Sequence, residues 1–559
     1  MTNKATLFLL SSLICILILN CCKPRDIELP SDKGITFRVS GIEEGGTTEL
    51  IGSTKGRNTE NPDRLSIHRE IRNVQGLDID LIIEENAVSK IALTKTASTS
   101  PISNNTVFFI MLFEADGKGN AVKVSYSGKS TGNGPTIPFP AFRNTQYRWF
   151  AYSFNSDEDF RQPIVESPIL DINSSSVGNG SDFLYATGVI TTSNDPNAAN
   201  QVSITFKRMV SAIRFEIDAR GVFSSIKDLQ FDFPASENGF RNGKFSFRNG
   251  VFTETNSAEQ FSRSAWLDHI ADTIPTGWVK YQQLLTVPNG EPMNFQALLK
   301  SLTITSQTIT PGNPTAITFA DRNYGVPTAG ILFDFPPFTP VAGKRYTIKL
   351  RLRENPISAG GSQWARGNLT YFANSPENKY RFWYDNNFIK NVNGGMNNFI
   401  ESDYFDTRPP RGEPQAPPSN WDPCALVYPE KTWRLPTEAE FLRLGADAES
   451  YDRHRVDQEN NQGWYGSWGN RSSIGPPRYK NNDLNFVAAG YRDRKTRALQ
   501  KFNYRGFGTF SADEGFFKTS DTSKFFHIDY GGSIIGFDLG IRITTANDGR
   551  GVNVRCVRR

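Results

Sequence analysis

Five cysteines stand in two groups, Cys15, Cys21 and Cys22 near the start and Cys424 with Cys556 near the end, with no thiol between them. A thiol that processing leaves at an N-terminus can be acylated, whereas two distant thiols in an exported chain can be oxidised to a bond. The four histidines, His68, His269, His454 and His527, share no ligand spacing such as i, i+4, which argues against zinc. Carboxylates gather at Asp447, Glu449, Asp452 and Asp457, and again at Asp513, Glu514 and Asp521. Calcium takes several oxygen ligands from loops, but charges solvated on loops are the simpler reading. No metal and no cofactor is therefore assigned, and calcium stays a secondary reading. Trp464, Tyr465 and Trp468 sit among glycines just ahead of Asn470. Rings presented in this way can stack on sugar faces while Asn470 bonds a hydroxyl, although filling the core of a helix-poor domain is the simpler reading. No Ser-His-Asp arrangement, phosphate loop or nucleotide motif is present, so no enzyme is expected.

The first residues supply an address. Lys4 precedes a run from Leu7 to Leu19 that is apolar apart from Ser11 and Ser12, too short for the roughly 20 helical residues that a membrane span takes. Ile18-Leu19-Asn20-Cys21 is similar to the lipobox of bacterial lipoprotein signal peptides, though Asn20 is larger than the usual small residue. Residues 1–21 then read as signal peptide and lipidation site, with Cys21 acylated, Cys22 as the alternative, and plain secretion as the simpler outcome. Acyl chains contribute about 0.8 kcal/mol per buried CH₂, enough together to hold a folded body at an outer membrane. Residues 22–33 are short, polar and Pro-bearing, as suits a tether.

A chain of 559 residues exceeds one hydrophobic core. Its net charge of +4 is small and its basic residues are interleaved with acids, so nucleic acid is not an expected partner. The basic end, Arg555 to Arg559, reads as a strand terminus with solvated charges. Plentiful aromatics and closely spaced Gly, Pro, Asn, Ser and Thr are the composition of a β-rich exported protein.

Those residues need elements to hold them, and the pattern is mainly β. Ile35, Phe37 and Val39 alternate with Thr36, Arg38 and Ser40, the period-2 signature of a half-buried strand. Further strands are expected at 77–84, 89–94, 107–113, 121–126 and 146–154. The run 107–113 is continuously apolar and reads as buried on both faces. A second block follows with strands at 201–206, 211–217, 222–233, 243–252, 304–309, 316–319, 330–335 and 345–352, a spacing that suggests a sandwich. The boundaries are drawn at 34–186 and 187–354, with 354–361 as a linker. Residues 362–559 form an α+β block with one clear helix near 436–444, capped by Thr437 and favoured at its start by Glu438 and Glu440.

The first two blocks resemble the fimbrillin family of the Bacteroidetes. The resemblance rests on the export signal, the opening strand Ile35 to Gly41, Tyr147 to Ser153, Asp182 to Ala186, and Ile204 to Phe215. It implies two transthyretin-like β-sandwich domains. The third block resembles C-type-lectin-like and formylglycine-generating-enzyme-like modules, through Trp364 to Leu369, Asp422-Pro423-Cys424, Trp433 to Phe441, Ala489 to Arg492 and Val552 to Arg558. It departs from them at Gly515 to Ser520, where a Trp-Ser-Ser stretch is expected.

Within that module Cys424 and Cys556 are expected to pair, a staple that removes about 4–5 kcal/mol of denatured-chain entropy on the simple loop model. The resemblance implies a surface-exposed fimbrial accessory or tip subunit. It would mediate adhesion, be joined to other fimbrial subunits by β-strand addition, and be cut after Lys55 or Arg57 on maturation. The alternative is a free-standing lipoprotein that binds glycans, and a host or bacterial surface protein is a further candidate ligand.

Overall fold

The computed structural model describes residues 33–43, 64–74, 77–86, 99–132, 138–158, 169–172, 182–236, 239–270, 274–310, 313–372, 378–382, 404–405, 421–446, 451–455, 464–468, 484–487, 490–493, 495–496, 498–500, 513–533, 536–545 and 549–559. Cys21, Cys22, the strand expected at 89–94, Lys55 and Arg57 lie outside these residues.

The chain opens with β1 (Ile35–Glu43), β2 (Arg64–Val74), β3 (Leu77–Asn86), β4 (Thr99–Ser100), β5 (Val107–Ala115), β6 (Ala121–Thr131) and β7 (Gln146–Ser153). Next come β8 (Ile169–Ile172), β9 (Leu184–Thr191), β10 (Asn200–Arg208), β11 (Ser211–Gly221), β12 (Ser225–Phe233), β13 (Arg241–Ser246) and β14 (Val251–Ser257). They are followed by β15 (Phe261–Arg263), β16 (Leu267–Asp268), β17 (Val279–Thr286), β18 (Gln296–Thr310), β19 (Asn313–Asn323), β20 (Ile331–Asp334) and β21 (Arg345–Glu354).

These strands form four sheets. The first runs β4-β1-β10-β9-β7-β5-β6 and the second β16-β17-β11-β21-β3-β2. The third runs β15-β12-β18-β19 with β20 also on β18, and a small fourth runs β14-β13-β8. Alternation sets the faces. In β10, Val202, Ile204 and Phe206 are buried while Gln201, Ser203, Thr205 and Lys207 are exposed. In β5, Phe108, Ile110 and Leu112 enter one core while Phe109 and Met111 enter another, so both faces of this apolar run are covered. The second and third sheets close a sandwich over Ile79, Leu81, Phe215, Ile217, Ile348 and Leu350 on one side and Leu229, Phe231, Leu299 and Phe333 on the other.

The strand pairing does not divide at the boundary drawn between 186 and 187. β9 and β10 belong to the first sheet, and the β2–β3 hairpin, which precedes most of that sheet in sequence, completes the second. The reason is the ladder between β3 and β21, which pairs nine residues from Leu77↔Glu354 to Glu85↔Tyr346. Alternation in β3 marks it as a strand but does not say which sheet it joins. The segment 222–233 also differs from its expectation. Residues 222–224 turn before β12 begins, with Phe223 in the left-handed region at φ 54°.

The expected linker is structured. β22 (Ile357–Ala359) and β23 (Ser362–Trp364) form a hairpin across Gly360 and Gly361, both with positive φ, and Arg366 Nε donates to the Asn355 carbonyl at 2.9 Å. Beyond it lie β24 (Leu369–Tyr371), β25 (Tyr380–Phe382), a 3₁₀ turn (Pro423–Leu426), β26 (Trp433–Arg434), α1 (Glu438–Ala446), β27 (Tyr451–Arg455), β28 (Trp464–Trp468) and β29 (Leu484–Val487). The remaining strands are β30 (Tyr491–Arg492), β31 (Leu499–Gln500), β32 (Asp513–Lys518), β33 (Lys524–Ser533), β34 (Gly536–Thr545) and β35 (Val557–Arg558).

Candidate functional site

Two ends of the described chain complete sheets. At the front, β1 lies parallel to β10, from Ile35↔Asn200 to Glu43↔Lys207, with a register shift between Val39 and Gly41. On its other side the described partners are β4, at Ile42 and Glu43, and Phe139, which exchanges two main-chain hydrogen bonds with Ile35 at 2.9 and 2.8 Å. What holds β1 is apolar. Ile35, Phe37 and Ile42 are buried, and the Phe37 ring meets Phe139 at 5.2 Å and Trp149 at 5.9 Å, both edge-on. Full burial of such side chains contributes about 1.5–3 kcal/mol each. Polar support is slight: Ser40 bonds Ser203, Thr36 Oγ1 donates to the Asn200 carbonyl at 3.5 Å, Asn200 Nδ2 donates to the Gly34 carbonyl at 3.1 Å, and Lys207 lies 3.7 Å from Glu43 at the surface. Gly34 has φ +57°, and a Cβ there would fall 2.4 Å from the Phe139 carbonyl oxygen, so the entry to β1 accepts glycine alone.

At the back, β35 is an inner strand of the sheet β22-β23-β35-β26, pairing Trp364 with Val557 and Trp433 with Arg558. The segments singled out at 364–369, 422–424, 433–441 and 552–558 therefore meet. Ala365 N donates to Cys556 O and Leu369 N to Val554 O, each at 2.8 Å. The sulfurs of Cys424 and Cys556 are bonded, and both residues are buried. Helix α1 starts with a reciprocal cap: Thr437 N donates to Glu440 Oε2 at 2.8 Å, and Glu440 N to Thr437 Oγ1 at 3.3 Å. Arg434 forks onto the same carboxylate at 2.7 and 2.8 Å, and Ser362 donates to it at 3.0 Å. Burial pushes Glu440 up, but the Arg434, Thr437 and Ser362 hydrogen bonds outweigh it and hold its carboxyl down at about 2.

The basic end is solvated only at Arg559, whereas Arg555 and Arg558 depart from the sequence reading. Arg555 is fully buried, donates to the carbonyls of Ala365 and Arg366, lies 5.4 Å from the Phe486 ring centre, and is pulled down to about 9 by burial. Arg558 binds Asp78 of β3 and donates to the Glu354 carbonyl at 3.1 Å. Nearby, Arg353 donates to Asp80 at 2.7 Å. Asp218 accepts from Arg220 Nε at 2.9 Å and Nη2 at 2.8 Å, and from the Tyr428 hydroxyl at 2.5 Å. Arg220 also donates to that hydroxyl at 2.8 Å and lies 4.3 Å from its ring centre. Burial raises the Asp218 carboxyl, but Arg220, Tyr428 and Lys349 together bring it below the usual range.

This ionic junction between the second sheet and the C-terminal module escaped the sequence reading. Asp78 and Asp80 point away from the sandwich core because Leu77, Ile79 and Leu81 point into it. Nothing in that alternation says that a second body covers their face.

Trp464, Tyr465 and Trp468 fall in β28, between β27 and β29, but their side chains and Asn470 lie outside the described residues. Asp447, Glu449 and Asp457 also lie outside. Among the described residues no group of three His, Cys, Asp or Glu could hold a metal. Glu514 pairs with His527 at 3.0 Å, and Asp521 accepts from Ser523. His269 meets Arg214 on the second sheet, while the side chains of His68 and His454 are not described.

A family model described as fimbrillin-like matches residues 84–363, half of the chain. No curated protein matches it. Among solved structures, a candidate cell adhesion protein from Bacteroides fragilis NCTC 9343 is 11% identical over 57% of this chain and 92% of that one, with a TM-score of 0.30. A candidate adhesin from Bacteroides thetaiotaomicron VPI-5482 is 13% identical over 36% and 72%, with a TM-score of 0.24. The fimbrial anchor protein Mfa2 from Porphyromonas gingivalis is 12% identical over 37% and 74%, with a TM-score of 0.22. Overlaps this slight carry no functional meaning.

Proposed function

The chain belongs to the fimbrillin-like family, and from that premise we propose that it is a terminal subunit of a fimbria that receives a strand in the seat now held by β1. The family makes it a surface protein of fimbrial, adhesive type and not an enzyme. The finer reading is that it is a tip or accessory subunit, carried on the outer membrane by acyl chains on Cys21 before assembly. Its C-terminal module, whether or not it is lectin-like, would meet the ligand.

The supporting observation is how β1 is held. It rests on apolar side chains and a parallel ladder, with no buried ion pair and no covalent tie among its described contacts. An extended segment carrying apolar, polar and aromatic residues in the same alternation could take its place through the same main-chain bonds. Such exchange needs β1 to be free at its C-terminal end, and Lys55 and Arg57 in the following segment are the proposed places for a cut. The opposite terminus favours an end position. β35 is stapled by Cys556 and bonded through Arg558, so it is ill suited to being donated to a neighbour.

The test is a chain with a specific protease site between Lys55 and Arg57, cut and then mixed with a labelled peptide of residues 33–43. Stable incorporation, lost when the peptide carries Phe37→Ala, is the expected result, together with co-purification with pilin from sheared cells. A cut chain that never exchanges its first strand, combined with glycan binding by free chains that lack pilin, would replace this reading with that of a free-standing glycan-binding lipoprotein.

A further inference from the structure

The described C-terminal module has two apolar cores, and the Cys424–Cys556 bond does not sit in the inner one, which is packed on α1. That core comprises Trp364, Phe441, Leu444, Phe486, Phe526 and Ile528. The bond lies in a separate cluster with Phe382, Trp433 and Val554 of the module, and with Phe223 and Trp278 of the second sandwich. Most of that cluster belongs to the module, and Phe223 and Trp278 join it from the second sandwich, so the covalent link lies in the cluster that meets the other body.

Each cysteine also stands close in sequence to a residue that reaches across. Tyr428 follows Cys424 by one turn and donates to Asp218, while Arg558 follows Cys556 by two residues and binds Asp78. Asp218 and Asp78 flank β21 on the outer face of the second sheet: Asp218 pairs in register with Arg351, and Asp78 with Arg353. A clamp of two jaws needs both jaws at a fixed separation. The bond ties the turn that carries one to the strand that carries the other. Phe223 adds a further sign of fit. It holds a left-handed backbone at φ 54°, unfavourable for a bulky residue, and its ring lies edge-on to Phe382 at 5.9 Å.

We propose that the Cys424–Cys556 bond is the latch of this junction: it fixes the C-terminal module onto the second sandwich, while the module's own fold rests on its inner core. With the latch closed the module has one orientation on the stalk, and force applied to it passes directly into the second sheet. Without the latch the module, hairpin β22–β23 included, stays folded but swings about the short connection between β21 and β22.

Carboxylate labelling with a water-soluble carbodiimide, read by mass spectrometry on the full chain, separates the two bodies. Asp78 and Asp218 report the junction, and Glu440, held at the cap of α1, reports the module's fold. In the Cys424→Ala/Cys556→Ala chain, labelling of Asp78 and Asp218 should rise several-fold with Glu440 unchanged, and small-angle scattering should show a longer particle. Because the alanine pair leaves a void, Cys424→Ala/Cys556→Val, which refills it, is read in the same way. Unchanged labelling of Asp218 in both chains would show that the junction holds without the bond. A parallel rise at Glu440 in both would show that the bond supports the module's fold instead. Either result overturns the proposal.

Discussion

The strand that opens the described chain and the strand that closes it each complete a sheet, but they are held by different physics. β1 is secured by Ile35, Phe37 and Ile42 in a groove and by a parallel ladder to β10. β35 is secured by a covalent bond, by the fully buried Arg555 and by an ion pair from Arg558 to Asp78. Apolar burial is non-directional, so any strand with the same alternation satisfies the groove. A charge buried against a single carboxylate is directional, and removing its partner costs more than the pair contributes. The proposed strand exchange rests on this contrast between apolar burial at the front and directional and covalent ties at the back.

The comparison is broken most severely at the junction. Asp218→Ala leaves Arg220 and the Tyr428 hydroxyl without their buried acceptor and should cost about 3–5 kcal/mol in denaturant unfolding. A loss below about 1 kcal/mol would mean that the junction is not a specific lock. Phe37→Ala at the other end should cost a similar 3–5 kcal/mol through lost burial and a cavity, with the loss confined to the first sheet by hydrogen exchange.

Glu440→Gln should remove about 2–3 kcal/mol from the module by weakening its tie to Arg434 and Thr437. The depressed pKa of Glu440 sets a pH test. Its folded carboxyl lies at about 2 against 4.5 for the free group, so its contribution is full above about pH 4.5 and is lost as pH falls towards 2. Acid titration of module unfolding should show this loss in the native chain and lack it in Glu440→Gln. Thr437→Ala, which removes only the cap, should cost about 1 kcal/mol in the same assay. Glu43→Ala, which breaks the exposed pair with Lys207, should change stability by less than about 0.5 kcal/mol. A larger effect would show that β1 is held by charge as well as by burial.

How much of this was legible in the sequence varied with the range of the interaction. The strands β1, β5, β7, β10, β11 and β21 follow from alternation or from a continuous apolar run, because a strand's two faces are set by its own neighbours. Helix α1 follows from Thr437, Glu438 and Glu440 for the same local reason. The sequence could not assign β3 to the second sheet or β10 to the first, since pairing partners 164 to 277 residues away leave no trace in local period.

Residue order alone determined that the chain is mainly β, that few of its groups suit catalysis, and that its cysteines fall in two groups with none between 22 and 424. The tertiary structure decided which strands share a sheet, that 357–364 is a hairpin and not a linker, and that Arg555 and Arg558 are enclosed. The physical reason is that a strand's pattern records which face is buried, whereas a buried charge pair exists only once two distant segments exclude water from each other.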